Sequence, residues 1–175
     1  MNRRQFVGAA VAAGAVQAQD RKLKLGVIGC GWYGGVDMRA AYNAGGVEFI
    51  GLCDVDSKML EDTAAAVEKQ EGVKPRTFKH YKDLLAMQGL DGVIIATPPH
   101  WHALMAVAAC EAGKDIYLQK PMTMYPAESL VVRAAVKKHQ RVNSRLLRRC
   151  LLVEGMGALI KALDPVSLLI RTDLS

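Results

Sequence analysis

The chain has 175 residues, 51% of them hydrophobic and 23% charged, which suits one globular domain with a sizeable core. Its formal net charge is +6, but residues 1–19 hold +2 and residues 141–175 hold +3, so the middle is almost neutral. That distribution lacks the basic stripe nucleic acid needs, and no apolar run reaches the ~18 residues of a membrane span.

Residues 1–19, MNRRQFVGAAVAAGAVQAQ, read as a leader outside the fold. Arg3 and Arg4 form the positive region, an Ala/Gly/Val run follows, and Val16-Gln17-Ala18 offers small residues at a cleavage site. The arginine pair and the weakly apolar run resemble a twin-arginine export signal. The expectation is a periplasmic or secreted protein, free of the membrane once the signal is cleaved.

From residue 20 to 143 strands and helices alternate. Leu23–Ile28 is a short apolar strand that runs into Gly29-Cys30-Gly31-Trp32-Tyr33-Gly34. A helix is expected from about Tyr33 to Asn43, stopped by Gly45-Gly46. Val47–Cys53 is the second strand. Asp56 or Ser57 caps a helix through about Lys69, with Ala64, Ala65, Ala66 and Val67 on or near its buried side. A short strand near Thr77-Phe78 and a short helix at YKDLLAM follow. DGVIIAT, residues 91–97, is almost wholly apolar, as befits a parallel strand covered on both faces. Residues 100–113 form the next helix, DIYL the next strand, and about Ala127 to Gln140 the last helix. This alternation predicts an α/β fold with a doubly wound parallel sheet and right-handed crossovers, the Rossmann arrangement.

The glycines then acquire a meaning. A strand precedes G-x-G-x-x-G, a helix follows, and Asp54 lies 20 positions after Gly34 at the end of the second strand. These are the elements of a dinucleotide fingerprint. Gly29 permits the tight turn, Gly31 leaves room for a pyrophosphate, and Gly34 lets helix and strand approach. The helix N-terminus supplies N–H groups for the phosphates, and Cys30, Trp32 and Tyr33 within the motif are grouped with its glycines as expected cofactor contacts. Asp54 accepts from a ribose diol and repels a 2′-phosphate, so NAD is the expected cofactor. Lys58 nearby leaves NADP open.

Cys30, Cys53, Cys110 and Cys150 form neither C-x-x-C nor a zinc spacing. Cys53 and Cys110 lie in apolar runs and read as packing residues. His100-Trp101-His102 offers two imidazoles without an evident third ligand, so no metal site is expected. Trp101, Met105 and Val107 read as packing residues.

Residues 94–123, IIATPPHWHALMAVAACEAGKDIYLQKPMT, resemble the Gfo/Idh/MocA oxidoreductases, the family of glucose-fructose oxidoreductase and inositol dehydrogenase. The matching residues are Ala96-Thr97-Pro98, His102-Ala103, Ala112-Gly113-Lys114 and Lys120-Pro121. The resemblance implies that Thr97, Pro98 and His102 lie beside the cofactor. It implies that Lys120, the lysine of the family's E-K-P motif, is the catalytic acid–base group at the nicotinamide edge, binding hydroxyls of a sugar or polyol. A lysine at the end of a buried strand is expected to be partly desolvated, which helps it exchange a proton.

The sequence departs from the family twice. Gln119, grouped with the cofactor contacts, replaces the family's glutamate and lacks the charge that would face Lys120 or a ribose hydroxyl. Residues 144–175 do not match the family's second, substrate-binding domain, and the expectation is a truncated or frame-shifted product, with a helix at about 151–163 as the plainer reading of the tail. The expected function is hydride transfer between a nicotinamide cofactor and a sugar or polyol. Two alternatives stay open: an NAD-dependent glycoside hydrolase of the same superfamily, and an inactive nucleotide-binding fragment. A reductase of the dihydrodipicolinate type fits residues 94–123 poorly. The full-length family leaves room for a homo-oligomer.

Overall fold

The computed structural model describes residues 21–141, so the leader, Cys150 and the tail at 144–175 lie outside the described residues. Five parallel strands form one sheet in the order β3-β2-β1-β4-β5. They are β1 (Leu23–Ile28), β2 (Val47–Cys53), β3 (Arg76–Phe78), β4 (Gly92–Ile95) and β5 (Asp115–Leu118). The helices are α1 (Trp32–Ala44), α2 (Ser57–Glu71), α3 (Tyr81–Leu85), α4 (His102–Glu111) and α5 (Pro126–Lys138). Among the described residues no helix is long and apolar enough to cross a membrane.

Alternating side chains in the strands feed two cores. Leu25, Val27, Phe49, Leu52 and Ile94 pack with Met38 and Ala41 of α1 and with Leu60, Ala64 and Val67 of α2. Ile28, Cys53, Val93 and Ile95 pack with α3, α4 and α5 on the other side. Both faces of β4 are therefore covered, which explains its unbroken apolar sequence.

The elements expected within the described residues all form, with local differences, while the helix expected at about 151–163 lies outside them. On α2 only Leu60, Ala64 and Val67 are buried, while Ala65 and Ala66 face solvent, because a single helical stripe turns inward. Asp56 is its N-cap, accepting from the N–H groups of Lys58 and Met59. The strand expected over 91–97 stops at Ile95, since Thr97 and Pro98 turn across the sheet end. Pro99–Trp101 form a 3₁₀ turn, which delays α4 to His102. The order of the sheet reverses at β1 and β4, so the crevice beyond their carboxyl ends lies at the topological switch point.

Candidate functional site

Each of the three glycines meets a different demand. Gly29 has φ +95°, and a Cβ there would lie 2.8 Å from the Ala96 carbonyl carbon, so the turn and the neighbouring strand end both require glycine. A Cβ on Gly34 would sit 2.1 Å from the Gly29 oxygen, where α1 leans on the turn. A Cβ on Gly31 would meet no protein atom within 4 Å, so the space in front of α1 is open. No side chain caps that helix end and no acidic residue occupies its first turn. By helix geometry its first N–H groups lack intrahelical partners, which suits a phosphate. The residues present therefore fit a dinucleotide.

Asp54 directly follows β2 and reaches the glycine turn. One carboxylate oxygen accepts from the Cys30 N–H at 2.7 Å and the other from the Asp56 N–H at 2.9 Å. The carboxylate is thus held in place, with acceptor capacity left for a diol. Cys30 joins the glycine turn to the end of β2. Its side chain is buried, its thiol points to the Cys53 carbonyl at 3.7 Å, and its N–H is committed to Asp54. Burial, reinforced by the Asp54 charge, pushes the Cys30 and Cys53 thiols up to about 12. Neither is suited to serve as a nucleophile.

A cleft of about 500 Å³ opens beside the turn, bounded by Gly29, Gly31 and Asp54 on one side and by Thr97, Pro98 and Trp101 on the other. Thr97 and Pro98 line it as expected. Trp101 also lines it and is 44% exposed, so it is not the packing residue the sequence suggested. Val55, Lys79, His80 and Tyr81 also line the wall without having been foreseen. Their signal was positional: they follow the carboxyl ends of β2 and β3, where ligands of such sheets gather.

His102 lies behind the Thr97-Pro98 turn that lines the cleft. It is fully buried, with Nε2 2.8 Å from the Thr97 carbonyl and Nδ1 2.8 Å from the Pro121 carbonyl. The ring ties the 97–98 turn to the Lys120-Pro121 loop and positions both. Among the described residues, no group of three His, Cys, Asp or Glu side chains gathers as a metal site.

Lys120 stands on the loop after β5. It is exposed, so this part of the chain does not supply the desolvation expected for it. Its Nζ donates to the Tyr33 hydroxyl at 2.7 Å and lies 4.5 Å from the centre of that ring. Tyr33 in turn meets Trp32 edge-on at 4.5 Å, and both aromatic residues are exposed at the start of α1. Gln119 is turned away from the cleft. It is buried, its amide nitrogen donates to both oxygens of Asp37 at 2.9 and 2.7 Å, and its oxygen accepts from the Lys120 N–H at 2.7 Å. Gln119, grouped in the sequence with the cofactor contacts, packs between β5 and α1. Lys114 of the A-G-K stretch is likewise structural, donating to the Leu90 carbonyl at 3.0 Å.

Comparisons with known proteins agree on this architecture. Residues 23–145 match the Gfo/Idh/MocA model, described as an oxidoreductase family with an NAD-binding Rossmann fold. A glycosyl hydrolase family 109 protein of Stenotrophomonas maltophilia is 37% identical over 127 residues, which are 65% of this chain and 28% of that protein. The WlbA dehydrogenase of Bordetella pertussis, solved with NADH and UDP-GlcNAcA, superposes with a TM-score of 0.61 at 27% identity, over 70% of this chain and 35% of that one. The myo-inositol 2-dehydrogenase of Lactobacillus plantarum gives 0.61 at 26% identity, over 74% and 38%. The chain spans less than two fifths of the length of each of these proteins.

Proposed function

The chain belongs to the Gfo/Idh/MocA oxidoreductase family through its NAD-binding Rossmann domain, and we propose that it serves hydride transfer between NAD and a secondary alcohol of a sugar or polyol. The observation that carries this reading is the meeting of the open Gly31 helix end, the anchored Asp54 and the exposed Lys120 at one end of the sheet. Two solved dehydrogenases of similar fold, one in complex with UDP-GlcNAcA and one named for inositol, support the substrate class.

In this reading the first turn of α1 receives the pyrophosphate, Asp54 accepts from the ribose hydroxyls, and Thr97 and Pro98 bound the far side of the crevice. Bound nicotinamide supplies the hydride acceptor or donor. Lys120 holds or receives the hydroxyl proton at Nζ, and its positive charge stabilises negative charge developing on the substrate oxygen. The Tyr33 hydroxyl fixes where that Nζ sits. The charge on Asp54 favours NAD over NADP. The arginine pair at residues 3 and 4 supports export by the twin-arginine route.

A second reading has its own support, since the 37%-identical relative is named a glycosyl hydrolase. There the same glycine turn and Asp54 would hold the dinucleotide, which would supply redox chemistry with no net change over the cycle. Supplying the purified chain with NAD and a panel of polyols and aryl glycosides separates the readings. Net formation of NADH supports the dehydrogenase. Aglycone release without net NADH supports the hydrolase. NAD binding with neither product would leave this chain as a nucleotide-binding unit.

A further inference from the structure

Asp37 was not singled out by any motif, yet it is a buried acid, 4% exposed, on the otherwise apolar inner face of α1. It follows Tyr33 by four residues, so the two side chains share a helix face. Both lead to Lys120. Tyr33 accepts from the lysine Nζ, and Asp37 reaches the lysine backbone through Gln119.

The chemistry of this connection has one direction. A carboxylate on one side demands donors, and the Lys120 N–H on the other demands an acceptor. A glutamine satisfies both, with its NH₂ toward Asp37 and its oxygen toward Lys120. A glutamate at 119 would place a second carboxylate where the amide nitrogen now lies, within 2.9 Å of the Asp37 oxygens and away from water. Two such groups cannot both ionise there. The residue that looked like a lost charge is therefore the neutral half of a matched pair.

We propose that Asp37 and Gln119 form one positioning unit that fixes the Lys120 backbone against the dinucleotide-binding helix, and that residue 119 must be uncharged because residue 37 is a buried acid. The role assigned to Lys120 rests on the functional reading above; the pairing itself does not. Lys120 is set by the same helix whose N-terminus faces the cofactor, so the acid–base group and the phosphate site share one rigid reference.

The test is a polarity swap in the full chain. Gln119→Glu and Asp37→Asn should each lower the thermal midpoint, the former on the order of 10 °C. The double variant keeps one carboxylate and one amide, with the Lys120 N–H still facing an acceptor, and should recover at least half of the loss. Amide hydrogen exchange of ¹⁵N-lysine-labelled protein gives the specific readout. In Asp37→Ala the Lys120 amide should exchange about tenfold faster relative to the Lys24 amide in β1, and in the double variant it should return toward wild type. A double variant no more stable than Gln119→Glu, or a Lys120 amide unchanged in Asp37→Ala, would overturn the proposal. If Gln119→Glu does not fold, the exchange comparison and the foldedness of the double variant still decide it. NADH titration of the same samples keeps the questions apart: a successful swap in a chain that binds no NADH would sink the functional reading and leave the pairing intact.

Discussion

Lys120 Nζ and the Tyr33 hydroxyl lie 2.7 Å apart although 87 residues separate them in sequence. The contact joins the loop after β5 to the first turn of the glycine-led helix. The same ammonium also lies over the ring, where a cation–π attraction adds about 0.5–1 kcal/mol at an exposed site. Tyr33→Phe keeps the ring and loses the hydroxyl, whereas Tyr33→Ala loses both. Labelling of Lys120 by an amine reagent, followed by peptide mass spectrometry, should speed up modestly in the first and several-fold in the second. Melting should change little in Tyr33→Phe, because the lost hydrogen bond is exposed.

The second and third glycines of the turn, Gly31 and Gly34, should respond oppositely to the same substitution. Gly34→Ala forces a methyl against the Gly29 oxygen, 2.1 Å away, and overpacking of this kind costs about 1–3 kcal/mol or more. Gly31→Ala meets nothing in the protein and should leave the melting temperature almost unchanged while weakening NADH binding at least tenfold. Paired melting and binding curves check both.

Asp54 holds the turn as well as facing the expected ribose. Asp54→Ala should weaken NAD binding by about 1–3 kcal/mol, the scale of losing hydrogen bonds to a charged group. It should also narrow the preference for NAD over NADP and cost some stability, since two backbone N–H groups lose their acceptor. Asp54→Asn keeps one acceptor oxygen and should fall between. Titration with both cofactors decides; an unchanged NAD/NADP ratio would remove Asp54 from the ribose site.

The buried thiols give a pH dependence with a definite sign. Cys30 and Cys53 are pushed up to about 12 and Cys110 to about 11, chiefly by burial, so in the fold they stay protonated where an unfolded thiol would ionise. An acid whose folded value is raised contributes stability that is full below its unfolded value and is lost as pH rises through the interval. Denaturant midpoints should therefore fall between about pH 9 and 12, beyond the loss expected from other groups. Cys30→Ala should lessen the slope. At pH 8 none of these three cysteines should be alkylated in the native state.

The sheet was legible because its strands are short, apolar and separated by glycine-stopped helices. β1, β2 and β5 match the expected limits residue for residue. The glycine turn was legible because backbone demands at Gly29 and Gly34 leave no other residue type. Side-chain direction was harder to read. His102 and Gln119 sit in motifs that resemble cofactor contacts, yet both turn inward, where one bridges two carbonyls and the other meets Asp37. Nothing in the local spacing reveals a partner 82 residues away. Trp101 and Lys79–Tyr81 join the cleft wall only because β3 and β4 end at the same level, which is a property of the assembled sheet.

Titration of the purified 175-residue chain with NADH, followed by nicotinamide fluorescence, tests the central claim most directly. The expected result is saturable binding that Gly31→Ala and Asp54→Ala each weaken while a cooperative melt persists. A sample that melts cooperatively yet leaves NADH fluorescence unchanged up to millimolar concentrations would contradict it.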